Sequence, residues 1–191
     1  MTTPPLEIHP WQPFTPANAR ILIMGTFPPQ EKRWAMDFFY PNRTNDFWKI
    51  MGLIFYSDQY KFYSPETKEY DLDGIKNLLI EKGIALGDTG YRIRRLKNNA
   101  SDKYLEIAEP INLRAILARM PLCRTLATTG EKAAGVLAEI TGTDVPKIGS
   151  FSISADGMHI WRMPSTSRAY PLAIEKKAEY YRLMFSQTGI L

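Results

Sequence analysis

Gly25-Thr26-Phe27-Pro28-Pro29 closes the apolar run Ile21–Met24 with a glycine, a hydroxyl and two prolines. Proline has no amide hydrogen to donate and cannot continue a sheet ladder, so the run must stop there. Glycine lets a ligand come close to the backbone, and the turn after it can aim amides and the Thr26 hydroxyl into a cleft. Phe27 lines the same turn. Asp88 ends a second apolar run, Ile84-Ala85-Leu86-Gly87, with a carboxylate. That group can accept from the edge of a ligand, move a proton or cap the next turn. Asn45 stands just before Asp46-Phe47-Trp48, where a carboxamide can cap a helix, hold a water, or do both. Tyr40 ends the aromatic trio Phe38-Phe39-Tyr40 and offers a ring to stack on a planar, polar ligand. Phe47 and Trp48 open an amphipathic stretch and belong to the core instead.

Near the other end, Met163-Pro164 is followed by Ser165, Thr166, Ser167 and Arg168. Three hydroxyls and free amides fit phosphate oxygens, and a long cation can reach into a groove. The competing reading is a Ser/Thr-rich turn before a helix with Pro171 near its first position. Between these segments lies Tyr91–Lys97, whose cations are Arg92, Arg94, Arg95 and Lys97. Beside a cleft, Arg92, Arg94 and Arg95 would meet phosphates; away from one, the run is a solvated loop or helix face.

These residues need a scaffold, and the spacing of apolar residues supplies one. Short β-favouring runs predict strands at Arg20–Met24, Gly83–Leu86, Thr125–Thr128 and Met158–Met163. Helical spacing predicts helices over Asp46–Phe55, Asp73–Lys82, Asn112–Arg119, Glu131–Ile140 and Leu172–Phe185. Tyr56–Asp71 reads as an insertion loop or a small hairpin. Strands alternating with helices imply a parallel sheet with right-handed crossovers. A parallel sheet collects its strand ends on one edge, where ligands bind. The 191 residues suit one domain, with residues 1–19 as an extended arm lying on it.

Composition narrows the partners. Hydrophobic content of 45% and charged content of 23% are ordinary for a globular chain. The apolar runs are too short to span a bilayer, and the N-terminus has no signal pattern. A single cysteine, Cys123, cannot form an internal disulfide, which fits a reducing cytoplasm. Two histidines and one cysteine leave few ligands for zinc, so a metal centre is not expected. The net charge of +4 is mild support for a polyanionic partner.

Taken together and in order, GTFPP, YPNRTNDFW and MPSTS resemble the uracil-DNA glycosylase superfamily, closest to its hypoxanthine-DNA glycosylase branch and next to the mismatch-specific uracil glycosylases. The resemblance runs from Ile21 to the final helix. It implies a three-layer α/β/α fold with a short central parallel sheet. It also implies a monomeric DNA repair enzyme that flips a deaminated base, hypoxanthine or uracil, and hydrolyses its N-glycosidic bond without metal or cofactor. By family position Tyr40 would stack on the flipped base and Asn45 would align or polarise the attacking water. Asp88 would contact the base from its strand end, beside Thr26 and Phe27. Ser165, Thr166 and Ser167 would grip phosphates while Arg168 probes the minor groove. Two positions depart from the wider superfamily. Phe27 stands where many members carry an aspartate or asparagine, and Met163 where the most active carry a histidine. A non-catalytic nucleic-acid-binding module on this fold, or a nucleotide-binding α/β protein, would use the same residues differently.

Overall fold

The computed structural model describes residues 4–97 and 101–191; the first three residues of the expected arm lie outside them. Strand β1 (Leu6–Ile8) comes first, then β2 (Ile21–Gly25) and helix α1 (Phe47–Tyr56). The short hairpin β3 (Tyr63–Ser64) and β4 (Glu69–Tyr70) leads into α2 (Leu72–Lys82), β5 (Ile84–Asp88) and β6 (Gly90–Arg95). Next come β7 (Leu105–Pro110), α3 (Leu113–Leu117), β8 (Thr125–Thr128) and α4 (Glu131–Thr141). The chain ends with β9 (Ser150–Ile153), β10 (His159–Arg162) and α5 (Ile174–Gln187).

The main sheet has the order β5-β2-β8-β10-β9, parallel except for the antiparallel edge strand β9. β2 and β5 are buried at every position, as strands covered on both faces must be. Alternate residues feed two cores. Ile21, Ile23, Leu86 and Trp161 pack with residues of α1, α2 and α5 on one face. Leu22, Met24, Leu126 and Ile160 pack with residues of α3 and α4 on the other. This is the three-layer α/β/α arrangement anticipated from the sequence. None of the described helices is long and apolar enough to cross a membrane.

Local chemistry sets the helix boundaries. The Asp71 carboxylate accepts from the Gly74 amide at the start of α2, and Gly83 ends it with φ +66°. Asn112 caps α3 in the same way through the Ala115 amide. The doubtful stretch Tyr56–Asp71 contains the small hairpin.

The basic run corrects an expectation. The arginines of Tyr91–Lys97 lie in neither a loop nor a helix face: residues 90–95 form β6, the middle strand of a separate antiparallel sheet, β1-β6-β7, and only Leu96 and Lys97 follow it in a bend. Its alternation was hidden because carboxylates on the neighbouring strands pair with its arginines. Arg92 meets Glu109 at 3.1 Å, Arg94 meets Glu106 at 2.9 Å and Arg95 meets Glu7 at 3.0 Å. The arm supplies β1 to this sheet, and farther along Phe14 bridges to Leu86 of β5.

Candidate active site

Because β2, β5, β8 and β10 run parallel, their carboxyl ends share one edge. In the β2–β5 ladder Gly25 lies opposite Asp88, so the glycine and the carboxylate anticipated from sequence become cross-strand partners. The fit is close. A Cβ at position 25 would sit 2.6 Å from Asp88 Oδ1 and 3.6 Å from the Tyr40 hydroxyl. Only glycine leaves that space free.

Tyr40 sits at φ +54°, the left-handed region that a tyrosine occupies only when its surroundings impose it. One ring face stacks on Phe47 at 3.9 Å with 14° between the planes, and the hydroxyl pairs with Thr129 at 3.0 Å. Burial raises its pKa well above that of a free phenol, the Asp88 carboxylate adds to the rise, and the Thr129 contact opposes it. Tyr40 is therefore a neutral, fixed ring.

Asn45 Oδ1 accepts from the Phe47 amide at 2.9 Å, an Asx turn that opens α1. Among the described residues no partner is recorded for its amide nitrogen, so that donor is available to a ligand or water. The next residue ties this turn to the far end of the chain. The Asp46 amide donates to the Thr166 carbonyl at 2.8 Å. Lys177 of α5, 1% exposed, donates to Asp46 Oδ2 at 2.8 Å and to the Ser167 carbonyl at 2.9 Å.

The loop after β10 divides its hydroxyls. Thr166 is buried, whereas Ser165 is half-buried and Ser167 and Arg168 are exposed. Ser165 Oγ accepts from the Ser167 amide and Ser167 Oγ from the Ala169 amide. Both keep their own O–H to donate. Arg168 has no partner recorded among the described residues. Met163 is core, 1% exposed.

Two groups at this edge were not singled out from the sequence. His9, carried in on the arm, meets Asp88 Oδ2 through Nε2 at 2.8 Å. Asp102, from the excursion between β6 and β7, accepts the Thr26 hydroxyl at 2.6 Å. Burial raises the Asp102 carboxyl pKa; the Thr26 bond opposes this, Asp88 adds to it, and Lys132 and Arg95 lower it. Neither residue lies in an apolar run or a recognisable motif, so no local pattern marks it. Phe27 turns its ring edge-on to His9, 5.2 Å between centroids, with the Arg95 guanidinium 6.0 Å from its ring. Arg95 also donates to the Pro28 carbonyl and is 6% exposed, so it braces the turn from within. The cavity beside His9, Asp88, Phe39 and Tyr91 measures about 30 Å³, room for a water and far short of a purine. Thr26, Phe27, Tyr40 and Asp88 are thus engaged by Asp102, His9, Phe47 and Thr129 rather than lining an open hollow.

The edge therefore gathers a fixed aromatic ring, a carboxamide with a free donor, a half-engaged carboxylate and a hydroxyl-rich loop. No family model and no curated protein matches the chain. Among solved structures it is similar to the solution NMR structure of a candidate uracil DNA glycosylase from Methanosarcina acetivorans. The TM-score is 0.64, the identity 18%, and the match covers 96% of this chain and 99% of that one. The likeness is one of fold over essentially the whole length.

Proposed function

We propose that the protein is a monofunctional DNA glycosylase that removes a flipped, deaminated base, hypoxanthine or uracil, with a water as nucleophile. One observation carries this reading. The Asp46–Thr166 hydrogen bond seats the Asn45 turn against the Ser165–Arg168 loop, at the edge that also holds Thr26, Tyr40 and Asp88. Segments from opposite ends of the chain then form two lips of one site.

The chemistry follows from the groups. The water oxygen bonds to the sugar C1′ while the N-glycosidic pair of electrons leaves with the base, and proton transfer yields an abasic site and free base. Charge separates in the transition state, so fixed dipoles lower the barrier without rearranging. The Asn45 amide holds the water, Tyr40 stacks on the base, and Asp88, Thr26 and Phe27 contact its edges. Ser165, Ser167 and Arg168 hold the backbone, with Arg92 and Arg94 at the flank. Unstacking costs a few kcal/mol, least for a mispaired base, which favours lesions.

Duplexes carrying inosine, uracil or ethenocytosine, treated with stoichiometric protein and then alkali, test the reading. Alkali-dependent strand scission is expected on inosine or uracil; none on any duplex refutes it. Salt-dependent duplex binding without base release would favour the non-catalytic module, and preference for free nucleotides the nucleotide-binding protein. Asn45→Asp keeps the acceptor for the Phe47 amide but loses the N–H donor. Turnover should fall in both Asn45→Asp and Asn45→Ala with duplex affinity retained. If Asn45→Asp keeps wild-type turnover, Asn45 only caps its helix.

A further inference from the structure

Asp88 has its two carboxylate oxygens in different states. Oδ2 is taken by His9 Nε2, in a pair whose side chains are 6% and 9% exposed. Oδ1 has no hydrogen-bond partner recorded among the described residues and lies over Gly25, beside the Tyr40 hydroxyl. The His9 ring is held on several sides. It stacks on Phe39 at 5.9 Å and meets the Phe27 and Trp11 rings edge-on at 5.2 and 5.8 Å. Its Nδ1 faces both the Trp11 amide at 3.1 Å and the Trp11 carbonyl at 2.8 Å.

That double contact has a chemical consequence. An ionised carboxylate only accepts, so Nε2 must carry the hydrogen. Nδ1 then accepts from the Trp11 amide when the ring is neutral, or donates to the Trp11 carbonyl when it is charged. The contact with Asp88 survives either way. His9 also comes from the arm, 79 residues from Asp88 in the chain. Such a pair fixes the carboxylate plane and leaves one acceptor at a defined place.

We propose that His9 is the positioning residue of Asp88, and that the single open oxygen, Oδ1, selects bases bearing a ring N–H on the edge they present. This rests on the glycosylase reading. Hypoxanthine carries N1–H and uracil carries N3–H, whereas adenine and cytosine, their parents, hold a lone pair at those atoms. A lone pair facing a carboxylate oxygen is repelled, and the buried acceptor is left unpaired. Deamination thus creates the hydrogen that Oδ1 accepts. Sites built to bond a particular hydrogen reject analogues lacking it by roughly 10⁴–10⁵-fold.

The test is single-turnover base release by wild type, His9→Leu and His9→Gln from duplexes containing inosine or 1-methylinosine, with duplex affinity measured in parallel. Wild type should release 1-methylhypoxanthine at least about 100-fold more slowly than hypoxanthine. His9→Leu should lower the rate on inosine about 10- to 100-fold, the usual effect of removing a group that orients a contacting side chain. Its 1-methyl discrimination should shrink while duplex affinity holds, and His9→Gln, which retains a donor, should recover part of both. Three results overturn the proposal: His9→Leu as fast as or faster than wild type, His9→Gln as impaired as His9→Leu, or wild type indifferent to the 1-methyl group. Should His9→Leu not fold, the wild-type and His9→Gln comparisons still decide. Wild type silent on every duplex refutes the glycosylase reading and this assignment with it; wild type active with an unaffected His9→Leu refutes this assignment alone.

Discussion

Lys177 is the cation that fastens the two lips together, and Lys177→Met measures how firmly. The ammonium lies 2.8 Å from Asp46 Oδ2 and 2.9 Å from the Ser167 carbonyl, with side-chain exposures of 1% for Lys177 and 13% for Asp46. Methionine fills most of the stem's volume but leaves the Asp46 carboxylate with only the long 4.0 Å contact to Lys49. Breaking a buried ion pair from one side costs about 3–5 kcal/mol. The residual exposure of Asp46 admits some water, so the lower end, about 3 kcal/mol, is expected. For a chain of 191 residues that is a fall in Tm of roughly 6–12 °C. Asp46→Asn in the same background removes that poorly compensated charge. It sacrifices no helix cap, because the Asp46 side chain makes no capping bond at the start of α1. The double variant should therefore regain most of the loss, with a coupling of about 1.5–3 kcal/mol in a double-mutant cycle read by urea unfolding. A Lys177→Met shift under about 3 °C, or a coupling below about 0.5 kcal/mol, refutes the clamp.

Gly25→Ala should reduce base release by at least about tenfold, with helix content by circular dichroism unchanged, because a Cβ at 2.6 Å must push Asp88 Oδ1 aside; wild-type turnover would contradict the close approach. Asp102→Asn should flatten the pH dependence of stability. The folded carboxyl has a raised pKa, so the native state holds its proton longer than the unfolded one and stability falls as pH rises from the ordinary aspartate range through the folded value. Above that window the asparagine variant should match or exceed wild type in urea melts, and a variant less stable at neutral pH argues against it. Burial pushes the Cys123 thiol up to about 11, so iodoacetamide at pH 7.5 should label the folded protein far more slowly than the urea-unfolded chain. Equal labelling would place Cys123 outside the core.

The parallel core was legible because its signals are local. Ile21–Met24 is apolar at every position, prolines stop it after Gly25, and helical spacing resumes at Phe47. Such runs and breakers specify strands, helices and the sheet edge where their ends collect, and they place Thr26, Asp88 and Ser165 there by connectivity alone. β6 was not legible, since its arginines are satisfied by Glu106 and Glu109 on the next strand and by Glu7, 88 residues away from Arg95 in the arm. His9 and Asp102 stayed hidden for the same reason: their meaning depends on contacts made across 79 and 76 residues. Periodicity and turn chemistry act between neighbours, so the chain spells out its elements and their order. Which carboxylate faces which histidine, and whether the hollow between them is open or filled, is settled by packing between distant segments, where side-chain volume and burial outweigh any local preference.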